Sequence, residues 1–180
     1  MKICVVGSGY VGLSLAILLS RHFEVKLLDV SEEKIKFLND KVSPVDDREI
    51  QEYLTNHQLS LDATLIKEEA YFEAEYVIVA TPTNYDISTS SFDTSTVENV
   101  ISDCLKYNES ASIIIKSTVP IGFTNKMKIK FKKNEILFSP EFLRESRALY
   151  DNLYPSRIVV GGNRKKGSEF ANLLLDVAIN

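Results

Sequence analysis

Residues 1–30 read MKICVVGSGYVGLSLAILLSRHFEVKLLDV, and within them VVGSGYVGLS places Gly7, Gly9 and Gly12 between two apolar segments. Ile3 to Val6 is a short unbroken apolar run that stops at a glycine, which reads as a strand buried on both faces. Val11, Leu13, Leu15, Ala16, Leu18 and Leu19 then recur with helical spacing. The glycines therefore occupy a strand-to-helix turn. In the G-x-G-x-x-G pattern the first glycine makes the tight turn, the second lets a pyrophosphate approach the backbone and the third lets helix and strand pack closely. The helix start adds free N–H groups and the positive end of its dipole. A second apolar segment, Val25 to Leu28, ends at Asp29, 22 residues after Gly7 (29 − 7). An acid at that spacing accepts hydrogen bonds from an adenosine ribose and repels a 2′-phosphate. Glycines also serve ordinary turns, so it is the strand, helix, second strand and acid in succession that specify a dinucleotide site.

The 180 residues suffice for a single core, and 44% hydrophobic with 26% charged residues is an ordinary globular composition. A net charge of −4 and a pI near 5.3 supply no general field for nucleic acid or an acidic membrane. Lys126, Lys128, Lys130, Lys132 and Lys133 form a local basic cluster, read as a solvated helix face. No apolar run reaches the ~18 residues of a membrane span, and the first residues lack the pattern of a signal peptide. Two distant cysteines make neither a disulfide framework nor a zinc site, and Cys4 and Cys104 both fall on apolar stripes as core thiols. The expected location is cytoplasmic. His22 and His57, at apparent helix ends, read as solvated residues.

Apolar, β-branched runs recur at Tyr76–Ala80, Ser112–Lys116, Glu135–Phe138 and Arg157–Gly161, with a weaker one at Ala63–Ile66. Helical patterns lie between them: Ser31 would cap a helix through Leu38, Asp93 or Thr94 one through Leu105, and another would run from near Gly122 to Lys132. This alternation predicts an α/β fold, a doubly wound and mostly parallel sheet whose order reverses between the first strand and Tyr76–Ala80. Thr83 to Ser91, TNYDISTSS, is the candidate mobile loop. Ligands of such sheets bind beyond the carboxyl ends of the strands. There the sequence gathers Gly7-Ser8-Gly9, Asp29, Ala80-Thr81-Pro82-Thr83, Lys116-Ser117-Thr118-Val119-Pro120 and Ser139-Pro140-Glu141.

GSGYVGLSLAILLS (7–20), VATPTNYD (79–86), IIIKSTVPIGFT (113–124), FSPEFLRESRALYDNLYPSRIVVGG (138–162) and a helix start at Phe92-Asp93 resemble the N-terminal part of the UDP-glucose/GDP-mannose dehydrogenase family. The resemblance runs from Met1 to about Gly161; SPEFLRES is its most specific string, and YDNLYPSRIVVG favours the members acting on UDP-glucose over those acting on GDP-mannose or N-acetyl sugars. It implies an NAD-binding Rossmann-type domain spanning residues 1–180, within an enzyme that oxidises a sugar's primary alcohol to a carboxylate with two NAD per turnover through a cysteine-bound intermediate. Carried over, Tyr10, Val11 and the glycine turn hold the pyrophosphate, Asp29 and Lys34 the adenosine ribose, and Thr83 lies beside the cofactor. Thr118 sits near the nicotinamide and holds a water. Glu141, Phe142, Leu143, Arg144 and Glu145 line the sugar site, with Glu141 also catalytic and Glu145 both a base for thioester hydrolysis and a contact to the cofactor. On a helical turn Glu141 and Glu145, four apart, would face the same way; the alternative is that both are first-turn residues favoured by the helix dipole. The family's cysteine, lysine, asparagine and aspartate lie further along a chain more than twice as long, past a central helix that forms a homodimer, so this chain reads as the cofactor half, inactive alone. Two alternatives stay open: another NAD-dependent dehydrogenase, and a non-catalytic NAD-binding module.

Overall fold

The computed structural model describes residues 1–87 and 91–179. Strand β1 (Lys2–Val6) leads into helix α1 (Tyr10–Ser20), β2 (Glu24–Leu28), α2 (Glu32–Asn39), α3 (Arg48–Asn56), β3 (Leu61–Thr64), α4 (Lys67–Tyr71) and β4 (Tyr76–Val79). After a hairpin of β5 (Asn84–Asp86) and β6 (Ser91–Asp93) come α5 (Ser95–Tyr107), β7 (Ser112–Ile115), α6 (Phe123–Phe131), β8 (Ile136–Phe138), α7 (Ala148–Leu153) and α8 (Arg164–Val177).

The main sheet has the order β3-β2-β1-β4-β7-β8, with every neighbouring pair parallel. The chain builds outward from β1 to β3, then returns to lay β4 on the other side of β1. The order thus reverses between β1 and β4, as the alternation of strands and helices predicts. Helices cover both faces, which is why β4 and β7 are buried at every position instead of alternating with polar residues. The pleat divides each strand between two cores. Ile3, Val5, Ile78 and Ile114 pack with α1, α3, α7 and α8, whereas Cys4, Val6, Val77, Val79, Ile113 and Ile115 pack with α4, α5 and α6. Helix α1 is buried at nine of its eleven residues because α3, α7 and α8 cover the side turned away from the sheet.

Three expectations change. Arg157–Gly161 is not a strand: it meets the sheet only at an antiparallel bridge of Gly161 to Phe138, with N···O distances of 3.0 and 2.7 Å. β8 offers three paired residues, and Gly162, at φ 126°, turns the chain away. Part of the proposed loop at Thr83–Ser91 is instead paired strand: Asn84–Asp86 pairs with Ser91–Asp93, and Tyr85 meets Phe92 edge-on at 5.1 Å; residues 88–90 lie outside the described residues. Consequently Phe92-Asp93 does not begin a helix. It ends β6, and α5 starts at Ser95, whose N–H is accepted by Asp93 Oδ1 at 2.9 Å.

Candidate functional site

The three glycines have three different reasons to be glycine. Gly7 has φ +104°, and a Cβ on it would stand 2.6 Å from the Ala80 carbonyl oxygen, so the turn lies directly against the end of β4. A Cβ on Gly12 would stand 1.9 Å from the Gly7 oxygen, which fixes how closely α1 packs on its own turn. Gly9 has no protein atom within 4 Å of its Cβ position. Packing demands the first and third; the space over the second is open to a ligand. Gly9 is the N-cap of α1, with no side-chain cap and no acid in the first turn among the described residues. The helix therefore presents its unpaired N–H groups and positive dipole end to that space.

Asp29 leaves β2 beside this turn. Its Oδ2 accepts the Ser8 backbone N–H at 2.7 Å and the Ser8 hydroxyl at 2.5 Å, and its Oδ1 accepts the Ser31 N–H at 3.0 Å. Burial pushes the carboxyl up, but the bonds from Ser8 and Ser31 and the charge of Lys34 outweigh it, so the net displacement is below the ordinary carboxylate value. Beyond the bonds to Ser8 and Ser31 the carboxylate keeps lone pairs for further donors.

The far wall comes from the ends of β4, β7 and β8. Ser117 Oγ donates to the Thr81 carbonyl at 2.7 Å, and Thr83 Oγ1 donates to the Thr118 carbonyl at 2.8 Å, so hydroxyls bind the two loops together. A single cleft of about 840 Å³ runs from the glycine turn, Asp29 and Lys34 past Thr83 and Thr118 to Glu141, Leu143 and Glu145. That is the size of a pocket for an extended cofactor, roughly 300–1,000 Å³ for ligand sites generally. Tyr10 and Val11 also line it. The residues fit a dinucleotide.

The segment after β8 differs from its helical expectation. Residues 139–144 are irregular and only Glu145–Arg147 forms a single 3₁₀ turn, so Glu141 and Glu145 do not share a helix face. Glu141 faces a cation instead, its Oε2 lying 3.0 Å from Lys116 Nζ. Phe142 and Arg144 do not line the cleft. Phe142 lies 5.2 Å under the Arg157 guanidinium, and Arg144 grips Asp151 through Nε at 3.0 Å and Nη2 at 2.6 Å. The buried lysine was not singled out from the sequence, although a lysine closing the apolar run SIII was its visible signal.

Neither thiol reaches the cleft. Cys4 and Cys104 are both 0% exposed in the core between the sheet and α5; burial pushes Cys104 up to about 12 and Cys4 well above the usual thiol range. Among the described residues no helix is long and apolar enough to cross a membrane.

Comparison with known proteins agrees with this geometry. The sequence profile of the UDP-glucose/GDP-mannose dehydrogenase family, NAD binding domain, matches residues 1–177. A UDP-glucose 6-dehydrogenase of Streptococcus pneumoniae is 51% identical over 99% of this chain and 47% of its own length. One of Campylobacter jejuni is 48% identical over 97% of this chain and 45% of its own length. Among solved structures, a GDP-mannose dehydrogenase of Pseudomonas aeruginosa superposes with a TM-score of 0.86 at 25% identity, covering 99% of this chain and 44% of that one. A UDP-D-ManNAc dehydrogenase of Pyrococcus horikoshii gives 0.87 at 25% identity, covering 100% and 45%. The chain thus spans about half the length of the relatives it matches. With open space over Gly9 at the start of α1, Asp29 bonded to the glycine turn and a family profile spanning nearly every residue, the chain belongs to the UDP-glucose/GDP-mannose dehydrogenase family and carries its NAD-binding domain.

Proposed function

We propose that this chain, as an NAD-binding domain over residues 1–180, is the cofactor half of an enzyme that oxidises the primary alcohol of UDP-glucose to the carboxylate of UDP-glucuronate. The observation that carries the reading is the continuity of the cleft, which joins the glycine turn and Asp29 at one end to Thr118, Glu141 and Glu145 at the other. The 51% and 48% identities to enzymes named UDP-glucose 6-dehydrogenase support that sugar as the substrate.

Bound NAD supplies the hydride acceptor, and alcohol to acid removes two hydrides and adds the oxygen of one water. The N-terminus of α1 holds the pyrophosphate, with Gly9 giving the backbone access. Asp29 accepts the ribose hydroxyls and Lys34 stands beside it. Thr83 and Thr118 close the middle of the cleft, Thr118 orienting a water beside the reacting carbon. Glu141 accepts a hydrogen bond from the sugar, Leu143 packs against it, and Glu145 takes the proton of the attacking water. The backbone of Phe142 and Arg144 sets the spacing of these three while their side chains brace the segment from behind. A thiol that holds the sugar between the two oxidations comes from outside these residues, because Cys4 and Cys104 are enclosed in the core. Homodimerisation, through the portion of the relatives this chain does not span, and a cytoplasmic location belong to the same proposal.

The test uses both forms. The 180-residue chain should bind NAD in titration calorimetry and form no UDP-glucuronate. The complete enzyme should form it with two NADH per product; Thr118→Val should lower kcat with little change in NAD affinity, and Glu145→Gln should accumulate covalently modified enzyme. A complete enzyme inert toward UDP-glucose but active on GDP-mannose moves the substrate assignment; one inert toward every nucleotide sugar rejects the reading.

A further inference from the structure

Lys116 continues β7, whose four residues are all buried, and its own side chain is 4% exposed. An ammonium in such a place requires acceptors. One acceptor and one counter-charge are present: Ser139 Oγ accepts at 3.3 Å and Glu141 Oε2 lies 3.0 Å away. Both belong to the segment following β8, the parallel neighbour of β7, so the ammonium ties the carboxyl ends of two adjacent strands at the cleft wall. Glu141 Oε2 meets the ammonium as a charge contact, with no hydrogen-bond partner among the described residues. Its Oε1 accepts the Phe142 N–H at 3.3 Å. A carboxylate offers about four lone-pair sites, so these two contacts fix its position and leave acceptor capacity for a ligand.

We infer that Lys116 is a positioning residue for the oxidation: its ammonium holds the Glu141 carboxylate at the cleft wall, where it accepts the hydrogen bond of the hydroxyl being oxidised. The inference rests on the function proposed above and adds that the sugar hydroxyl is recognised by a carboxylate braced from both sides. Without the lysine, a largely buried carboxylate has no cation beside it and gains by turning outward to water. The pyrophosphate and adenosine-ribose contacts proposed above lie at the glycine turn and Asp29, at the other end of the cleft from Glu141. A lysine that only stabilised the fold would weaken NAD binding and turnover together; a positioning lysine separates them.

The experiment compares Lys116→Met, Glu141→Gln and the double variant in the complete enzyme. Lys116→Met should leave the NAD dissociation constant within about twofold and lower kcat on the order of a hundredfold, the penalty of a misplaced reacting geometry. Because Lys116 acts through Glu141, the double variant should turn over no more slowly than Glu141→Gln alone. A double variant slower by the whole Lys116→Met factor overturns the inference, as does NAD affinity falling in step with kcat. Should Lys116→Met not fold by itself, the double variant, which leaves no unpaired charge, still decides against Glu141→Gln. A wild-type enzyme inactive on every nucleotide sugar sinks the function, and this inference with it.

Discussion

Asp29 Oδ2 receives both the backbone N–H of Ser8, at 2.7 Å, and the Ser8 hydroxyl, at 2.5 Å. The acid at the end of the second strand is therefore locked onto the glycine turn, so the pyrophosphate and ribose contacts proposed for the two would be built as one unit. Because a fixed carboxylate accepts from a free 2′-hydroxyl and repels a phosphate there, NAD should bind at least ~tenfold more tightly than NADP, or about 1.4 kcal/mol. Calorimetric titration with both cofactors measures the ratio. Asp29→Ala should narrow it, and equal affinities in the wild type would remove the role given to Asp29.

Gly9 and Gly12 should respond oppositely to one added methyl. Gly12→Ala drives a Cβ into the Gly7 carbonyl and should destabilise the fold by at least the ~1–3 kcal/mol of an overpacked core, read as a lowered melting temperature. Gly9→Ala meets no protein atom, so its cost should stay under ~1 kcal/mol, mostly the poorer N-cap. Its NAD affinity should nevertheless fall about tenfold or more. A Gly9→Ala chain that binds NAD normally would show that the pyrophosphate does not approach this backbone.

Acid should unfold the chain partly through Asp29. Its folded carboxyl lies below the ordinary value of 3.8, so the folded state holds the proton more weakly than the unfolded chain does. The resulting stability is present above pH 3.8 and is lost as the pH falls toward the folded value. Asp151, lowered chiefly by its hydrogen bonds with Arg144, and Glu98, lowered chiefly by Lys130, act in the same direction. Melting temperatures from neutral pH downward should hold until about pH 4 and then drop. The gap between the wild type and Asp29→Asn should shrink below that point; a gap independent of pH would contradict the assignment.

Both thiols should be silent in the native state. Cys4 and Cys104 are fully buried, and burial disfavours the thiolate that reacts. Ellman's reagent at pH 8 should therefore label the native chain only as fast as it opens, while denatured chain yields two thiols. Rapid native labelling of either cysteine would place it outside the core.

The sheet interior and the glycine turn were legible in runs of consecutive residues. A strand covered on both faces needs a continuous apolar run, and VVGSGYVGL needs glycine where φ is positive or where backbones nearly touch; both are local demands written in consecutive residues. Other features depended on contacts between segments distant in the chain. RIVVG has the composition of a strand, yet pairing depends on the neighbour available, and it bridges three-residue β8 at Gly161 alone. Glu141 and Glu145 have helical spacing, but their segment is braced by Arg144 on Asp151 and by Lys116 on Glu141 and takes an irregular path. Lys116 meets Glu141 because β7 and β8 lie side by side in parallel, a contact between strand ends that no local spacing encodes.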